Sequence, residues 1–307
     1  MKNSEKNKTI NTPLSEGQDY LKRCVRLETA VSSADEVLDK TILGDCLRVM
    51  ALLPPSSVDL IVADPPYNLS KKYNGKTFRK RDTEEYIEYT RAWMRLAKPL
   101  LKETGSIYVC CDWRSSRAVE TVMSELFTIR NRITWEREKG RGSFSNWKNC
   151  LEDIWYGVCS DDFTFNVDRV KQRRRVIAPY RENGRPKDWT DSGEGRYRDT
   201  HPSNLWKDLT VPFWSMKENT AHPYQKPEKL LAKIILASSE PGDVILDPFL
   251  GSGTTSVTAK KLSRRYIGIE SDPLYCVWAE QRLSMADHDK TIQGYADGVF
   301  RERNEKV

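Results

Sequence analysis

Four consecutive residues in the first quarter of the chain combine a carboxylate, two prolines and an aromatic ring. This segment, Asp64-Pro65-Pro66-Tyr67, directly follows the apolar run VDLIVA. Proline has no N–H group and fixes φ, so the segment offers rigid carbonyl acceptors beside a carboxylate. Two acceptors next to a flat ring suit the exocyclic amino group of a base, because they could localise its lone pair and stabilise the positive charge that develops on nitrogen. The alternative is an ordinary turn that ends a strand.

A second segment led by an acid, DPFLGSGTT at residues 247–255, follows the apolar run VIL. Its glycines allow the backbone to approach a ligand closely, and the helix predicted after it presents free N–H groups. The spacing matches neither the phosphate loop of ATPases nor the glycine motif of dehydrogenases. Glu270 follows Gly251 at nearly the ~20-residue spacing of an acid that binds ribose hydroxyls. A nucleoside-containing cofactor is therefore predicted; the alternative for Glu270 is a solvated acid at a strand end.

In this order, the two motifs resemble those of the S-adenosylmethionine-dependent DNA amino-methyltransferases. The catalytic motif precedes the cofactor loop, as in the permuted beta group of that family, which includes type II modification enzymes and adenine methyltransferases of the cell cycle. The resemblance covers roughly residues 40–286, apart from a variable middle. The segment HPYQKP is similar to the group's HPTQKP, with Tyr224 in place of threonine.

The resemblance implies a role for each matched residue. The catalytic set that holds and stacks the target base consists of Asp64, Pro65, Pro66 and Tyr67. The loop that binds the cofactor consists of Asp247, Pro248, Phe249, Gly251, Ser252, Gly253 and Thr254. Glu270 takes the ribose, and Asp45 resembles the acid that contacts the cofactor adenine. Lys226 is matched to a cofactor carboxylate and Trp135 to an aromatic side chain beside the displaced base.

Three of these assignments have a structural alternative. Asp45 could instead be the N-cap of the helix predicted after it. Lys226 could be a solvent-exposed lysine at a helix start. Trp135 could pack in the core.

The predicted reaction is methyl transfer from S-adenosylmethionine to the N6 amino group of adenine in DNA. In the family, Asp at the first motif position usually accompanies adenine N6 and Ser accompanies cytosine N4, so an N4-cytosine enzyme is the alternative. A carbon-5 cytosine enzyme is disfavoured because no cysteine follows a proline. Remoter alternatives are an RNA or protein-glutamine methyltransferase and an inactive DNA-binding relative. The target base must leave the duplex stack to reach the pocket.

An alternation of strands and helices is predicted to position these motifs. The runs DKTILGD, VDLIVAD, SIYVCCDW and NRITWE predict strands, and residues 83–101 and 115–126 predict helices between them. After residue 219 the pattern resumes as helix, strand, helix, strand, helix. We therefore predict an α/β fold with an open, mostly parallel twisted sheet and helices on both faces, which is the circularly permuted, Rossmann-like methyltransferase fold.

Five regions are predicted along the chain. They are a mobile N-terminal arm (1–35, with one short helix around 20–28), a catalytic half (36–136), a target-recognition region (137–219), a cofactor-binding half (220–290) and a C-terminal tail (291–307), frayed at its end. Between Arg169 and Lys187 lie eight basic residues and one acid. Within this run, Arg173, Arg174 and Arg175 are predicted to contact DNA phosphates; a solvated charged face is the alternative.

Composition limits the class of protein. Of 307 residues, 31% are charged and the net charge is +6, which permits a polyanionic partner. No apolar run approaches the ~18 residues of a membrane span, and the first residues lack the apolar core of a signal peptide. Seven cysteines without a C-x-x-C pair and three histidines predict reduced thiols in a cytoplasmic protein and no metal site. A bacterial or phage-encoded enzyme is expected, with a homodimer partner and a cognate restriction endonuclease as candidates.

Overall fold

The computed structural model describes residues 6–73, 76–137, 144–145, 147–177, 180–192 and 195–303. The strands are β1 (Lys40–Leu43), β2 (Val58–Ala63), β3 (Lys71–Tyr73), β4 (Lys76–Phe78), β5 (Leu101–Cys111), β6 (Thr128–Glu136), β7 (Leu151–Val158), β8 (Gln172–Arg175), β9 (Arg181–Glu182), β10 (Arg185–Pro186), β11 (Thr190–Ser192), β12 (Gly195–Thr200), β13 (Leu205–Trp206), β14 (Val244–Asp247), β15 (Arg265–Glu270), β16 (Tyr295–Ala296) and β17 (Val299–Phe300). The helices are α1 (Gln18–Leu21), α2 (Cys46–Met50), α3 (Thr83–Ala97), α4 (Ser116–Leu126), α5 (Glu228–Ser238), α6 (Thr254–Lys261) and α7 (Pro273–Met285), with single 3₁₀ turns at Ala34–Glu36, Lys98–Leu100 and Val167–Val170.

Eight strands form the central sheet, in the order β1-β15-β14-β2-β5-β7-β6-β13. The pairs from β1 to β5 and the pair of β13 with β6 are parallel, whereas β7 is antiparallel to both of its neighbours. The predicted α/β class with a mostly parallel sheet is confirmed.

The strand β2 shows why this sheet needs helices on both faces. Leu60 and Val62 point to the side covered by α5 and α6, and Ile61 and Ala63 point to the side covered by α3 and α4. All four side chains are at most 3% exposed. Successive side chains of a strand alternate between faces, so a strand covered on both sides is apolar at every position.

The helix predicted over 83–101 ends at Ala97, and a 3₁₀ turn carries the chain into β5. Lys98 keeps helical backbone angles, but Pro99 has no N–H to donate to the carbonyl four residues earlier, so the α-helical hydrogen bonds cannot continue through it.

The predicted boundary of the recognition region at residue 137 differs from the structure. Residues 151–158 form β7, which lies inside the central sheet between β5 and β6. The prediction depends on helices alternating with parallel strands, and it misses β7 because β7 pairs antiparallel with both β5 and β6.

A second, five-stranded sheet has the order β11-β12-β8-β17-β16. It combines β8, β11 and β12 of the predicted recognition region with β16 and β17 of the predicted tail, and Phe300 is fully buried. This part of the tail is therefore a structural element. The fraying predicted for residues 301–307 is wrong for Arg303, whose guanidinium donates to the Leu209 carbonyl at 2.9 Å, and residues 304–307 lie outside the described residues.

The N-terminal arm, predicted to be mobile, packs on the rest of the protein over its described residues 6–35. The backbone N–H of Ile10 donates to the Asn219 carbonyl, and Trp278 Nε1 donates to the Thr12 carbonyl. The apolar contacts join Ile10, Tyr275, Val277 and Trp278. The arm is held by this burial, which its polar composition did not reveal, and its helix is α1 rather than the predicted 20–28. Residues 1–5 lie outside the described residues.

Across the described ranges, we find no helix with the length and apolar character that crossing a bilayer requires.

Substituting Ile10 by Ala tests the packing of the arm. Ile10 is 7% exposed, so we expect Ile10→Ala to lower the free energy of unfolding by about 2 kcal/mol. Leu14→Ala is the matched control, because Leu14 is 36% exposed and its loss should change that free energy by less than about 0.5 kcal/mol. Urea denaturation measures both values, and equal small effects would mean that the arm is detached.

Candidate active site

The pairing of β2 with β14 brings the two acid-led motifs together. These strands are parallel neighbours, with Ile61 opposite Leu246, so their carboxyl ends meet at one edge of the sheet. Asp64 follows β2 and Asp247 ends β14, and both line a single cavity of about 350 Å³. The fold therefore brings the two motifs into one cleft.

The first motif has its polar groups in a compact network. Asp64 Oδ2 accepts from Lys226 Nζ at 2.5 Å, and Asp64 Oδ1 accepts from the Tyr67 hydroxyl at 2.9 Å. The Tyr67 hydroxyl also lies 3.2 Å from Glu152 Oε2. Burial raises the pKa of Tyr67 well above its usual value, with Asp64 and Glu152 adding to the shift, so the phenol stays protonated. The Pro66 carbonyl accepts from the Tyr86 hydroxyl at 3.0 Å, and Pro65 and Pro66 both line the cavity.

The position of Lys226 differs from both sequence-based expectations. It is 9% exposed, so it is not a surface lysine, and its ammonium contacts the first motif instead of the cofactor loop. Burial by itself would lower the pKa of Lys226, but the carboxylates of Asp64 and Glu152 outweigh burial and raise it. Lys226 is therefore a permanent cation within the cleft.

The second motif is held by hydrogen bonds from its own leading acid. Asp247 Oδ1 accepts from the Phe249 N–H at 2.9 Å, and Asp247 Oδ2 accepts from Thr255 Oγ1 at 2.5 Å. Burial raises the pKa of Asp247 to about 7. Further residues of this loop that line the cavity are Pro248, Phe249, Gly251, Ser252 and Thr254.

Gly253 is not among the cavity-lining residues, although it was predicted to bind the cofactor. It has φ +86° at the start of α6, and a Cβ there would lie 2.7 Å from Ala279 Cβ. Glycine is therefore required because the loop turns directly against α7.

Glu270 and Asp45 both line the cavity and both hold backbone. Glu270 Oε2 accepts from the Gly251 N–H at 2.8 Å, and Oε1 accepts from the Asp272 N–H at 2.7 Å. Asp45 Oδ1 accepts from the N–H groups of Leu47 and Arg48 and so caps α2. The N-cap alternative for Asp45 is thus confirmed, while its position still faces the cavity.

The position of Trp135 is compatible with both sequence-based interpretations, packing in the core and lining the site. It is 1% exposed and belongs to the core cluster beneath α5, yet it also lines the cavity. The Arg137 guanidinium lies 5.7 Å from the centre of its ring.

Arg173, Arg174 and Arg175 lie on β8 of the second sheet and do not line the cavity. Arg173 binds the Asp199 carboxylate with two hydrogen bonds of 2.8 and 2.7 Å, and its guanidinium lies 3.8 Å from the Tyr197 ring centre. Arg174 and Arg175 are exposed. The structure therefore separates the three arginines into one ion-paired and two solvent-facing side chains.

Comparison with known proteins identifies the family. The model of the N6/N4 DNA methylases matches residues 58–281, which is most of the chain. The chain belongs to this DNA methylase family.

Two relatives of this DNA methylase cover most of its length. DNA adenine methyltransferase YhdJ of Escherichia coli (strain K12) is 34% identical over 257 residues, covering 81% of this chain and 84% of the relative. The type II methyltransferase M.HinfI of Haemophilus influenzae is 33% identical over 276 residues, covering 81% of this chain and 69% of the relative.

Two solved structures share the fold. The PvuII DNA methyltransferase (cytosine-N4-specific) aligns with a TM-score of 0.60 at 19% identity, covering 84% of this chain and 92% of that one. The complex of M1.HpyAVI with SAM aligns with a TM-score of 0.53 at 24% identity, covering 79% of this chain and 98% of that one.

Sequence reasoning missed several residues that line the cavity of this DNA methylase. The ones with polar side chains that matter most are Arg137, Glu152 and His222. Burial, and then the charge of Lys226, lowers the pKa of His222 to about 4, so its ring is neutral at neutral pH. His222 belongs to the HPYQKP segment, which signalled it. Glu152 lies on the unrecognised strand β7, where two consecutive acids ahead of the run IWYGV were the only signal.

The raised pKa of Asp247 leads to a pH-dependent prediction. Its pKa is about 7 in the folded protein and near its ordinary value when unfolded, so the folded state binds the extra proton and its stability falls as pH rises from about 4 to 7. In Asp247→Asn this group cannot titrate, so its free energy of unfolding does not fall for this reason as pH rises. The difference in that free energy, Asp247→Asn minus wild type, should therefore increase by roughly 2 kcal/mol between pH 5 and pH 8. Thermal or urea unfolding of both proteins at the two pH values measures this difference; a difference that does not depend on pH would contradict the buried titration.

Proposed function

We propose that this protein transfers a methyl group from S-adenosylmethionine to the N6 amino group of adenine in DNA. The observation that carries the proposal is that the Asp64-Pro65-Pro66-Tyr67 segment and the loop at 247–254 line one cavity. Its volume of about 350 Å³ lies within the ~300–1,000 Å³ of small-molecule sites. Family membership and the adenine-specific name of the YhdJ relative support the same reaction.

The cavity has the features that S-adenosylmethionine requires. Gly251 has φ +55°, and a Cβ there would lie 3.3 Å from His222 Nε2, so the absent side chain leaves a cradle between the loop and the ring. The carboxylates of Asp45 and Glu270 face the same space and suit a cationic ligand with ribose hydroxyls. The proposed cofactor-binding residues are Asp45, Asp247, Pro248, Phe249, Gly251, Ser252, Thr254 and Glu270, with Gly253 shaping the loop. The cofactor supplies an electrophilic methyl group on a sulfonium.

The residues of the first motif would prepare the target nitrogen. Asp64 and the Pro65 carbonyl accept the two amino hydrogens, which localises the lone pair, and the Tyr67 ring stacks on the base. Trp135 lies at the wall of the same cavity and would pack beside the base. Displacing the base from the duplex costs a few kcal/mol, and holding both reactants in one cleft offsets much of the entropic barrier.

Adenine is favoured over cytosine by Asp64 and by the relatives. The PvuII enzyme, named as cytosine-N4-specific, shares this fold at 19% identity, so cytosine N4 is the second candidate and an outcome of the test. We also propose a bacterial, cytoplasmic location, where the DNA substrate is found. A cognate restriction endonuclease is proposed from the type II relatives, and a homodimer from the family resemblance alone.

The decisive test of the reaction compares the wild type with Asp64→Ala. We expect transfer of tritium from labelled cofactor to DNA by the wild type only, while Asp64→Ala binds the cofactor within about threefold of the wild type, because Asp64 is assigned to the base. Long-read sequencing of DNA from expressing cells then reports the modified base and its context. Label in RNA or protein, or turnover by Asp64→Ala, would contradict the proposal.

DNA binding is proposed for the second sheet, through the exposed Arg174 and Arg175. The double charge reversal Arg174→Glu/Arg175→Glu should weaken DNA binding and reduce the slope of log affinity against log salt by about 2, because each phosphate contact contributes about 0.9. Lys22→Glu/Arg95→Glu is the control, since it changes the net charge equally at exposed positions of other elements. Fluorescence anisotropy at several salt concentrations measures the slopes, and equal slopes in both variants would leave β8 as a solvated face.

A further inference from the structure

One buried cation lies between two carboxylates in the cleft. Lys226 Nζ is 2.5 Å from Asp64 Oδ2 and 3.4 Å from Glu152 Oε2. Asp64 follows β2, whereas Glu152 lies on β7, two strands away in the sheet. The side chains of Lys226 and Glu152 are 10% and 7% exposed, so water screens these charges little.

The same two carboxylates also share the Tyr67 hydroxyl, at 2.9 Å from Asp64 and 3.2 Å from Glu152. Two carboxylates around one hydroxyl in a buried site repel each other. Lys226 offsets this repulsion from inside the cleft. Arg137 forms an ion pair with the other oxygen of Glu152, so each carboxylate has a cation.

We propose that Lys226 and Glu152 are positioning residues for methyl transfer: Glu152 holds the Lys226 ammonium against Asp64, and Lys226 fixes that carboxylate, charge-balanced, facing the target amino group. The proposal rests on the function proposed above. It replaces the expectation that Lys226 binds the carboxylate of the cofactor. Neither residue needs to touch substrate or cofactor, because both act through Asp64.

Other charged or titratable groups face this cluster from every neighbouring element. They are Tyr86 on α3, Cys110 and Cys111 on β5, Arg137 after β6, His222 before α5 and Asp247 at the end of β14. Burial raises the pKa of Cys110 well above its usual value and lowers that of His222 to about 4, so both are neutral near pH 7. Asp247, with a pKa of about 7, titrates in the working range. The Asp64 charge contributes to this shift, so the acid side of the pH profile reports the titration of the cluster together with Asp247.

The test compares variants that remove one or both charges of the Lys226–Glu152 pair. For each variant, the rate of methyl transfer in a single turnover is measured between pH 5.5 and 9, at saturating cofactor and DNA. Lys226→Met should slow transfer at pH 7 by roughly 10²-fold and move the acid limb of the profile upward by about one pH unit or more. The double variant Glu152→Gln/Lys226→Met should return the acid limb of the pH–rate profile towards its wild-type position, because one positive and one negative charge are removed together. Transfer should stay slow, because no ammonium fixes the Asp64 carboxylate. Lys226→Arg should keep the limb in place.

The control is Lys233→Met. Lys233 is a second buried lysine of the same region, 2.6 Å from Asp208, and it does not line the cavity. Removing it tests the loss of a buried ammonium as such, and the position of the acid limb should not change.

Cofactor affinity separates the remaining outcomes. Calorimetry should give a dissociation constant for Lys226→Met within about threefold of the wild type. An unshifted limb in Lys226→Met overturns the inference, and a large loss of cofactor affinity with an unshifted limb would return Lys226 to the cofactor. If Lys226→Met does not fold, the single variant Glu152→Gln decides. An unchanged rate of transfer in Glu152→Gln overturns the inference. A rate at least tenfold lower, with intact cofactor affinity, supports it. Absence of transfer by the wild type would instead refute the proposed function.

Discussion

The parallel pairing of β2 with β14 is the constraint on which the site depends. Asp64 follows β2 and Asp247 ends β14, and neither strand carries both motifs by itself. Parallel neighbours place their carboxyl ends at the same edge, so the register of Ile61 opposite Leu246 brings Asp64 and Asp247 to one cavity. The helices on both faces bury the apolar side chains of β2 and so hold this register.

The site also shows how buried charges are kept in place. Arg282 is 2% exposed and donates to the Ser252 carbonyl, to Thr254 Oγ1 and to Glu228 Oε1. It therefore ties the loop at 247–254 to Glu228 at the start of α5, two residues after Lys226. Moving such charges out of water costs free energy, and this cost largely cancels the attraction between them, so a buried ion pair adds little net stability. Such buried ion pairs instead hold hydrogen-bond donors and acceptors in one arrangement before a ligand binds.

The second sheet shows which basic residues of the arginine-rich run, residues 169–187, are available to bind phosphates. Several of its basic residues pair with acids of the same region, for example Arg173 with Asp199 and Arg198 with Asp188. Composition alone counts such residues as available to phosphates, but an ion-paired guanidinium must first give up its partner. The sheet is completed by β16 and β17 from the end of the chain, which links the proposed DNA-binding surface to α7 and hence to the cofactor half.

The sequence by itself determined the fold class, six of the eight strands of the central sheet, the helices that cover it, the family and the two motifs. Each of these depends on local patterns: apolar runs, proline and glycine positions, and the order of short segments. Only the tertiary structure decided the partner of Lys226, the entry of Glu152 into the cleft through β7, the separation of Arg173 from Arg174 and Arg175, and the packing of Ile10 on α7. These features depend on which distant segments become neighbours and in what register. A residue's type and its position in the chain do not contain that information, since a charged side chain selects its partner only after the sheet has assembled.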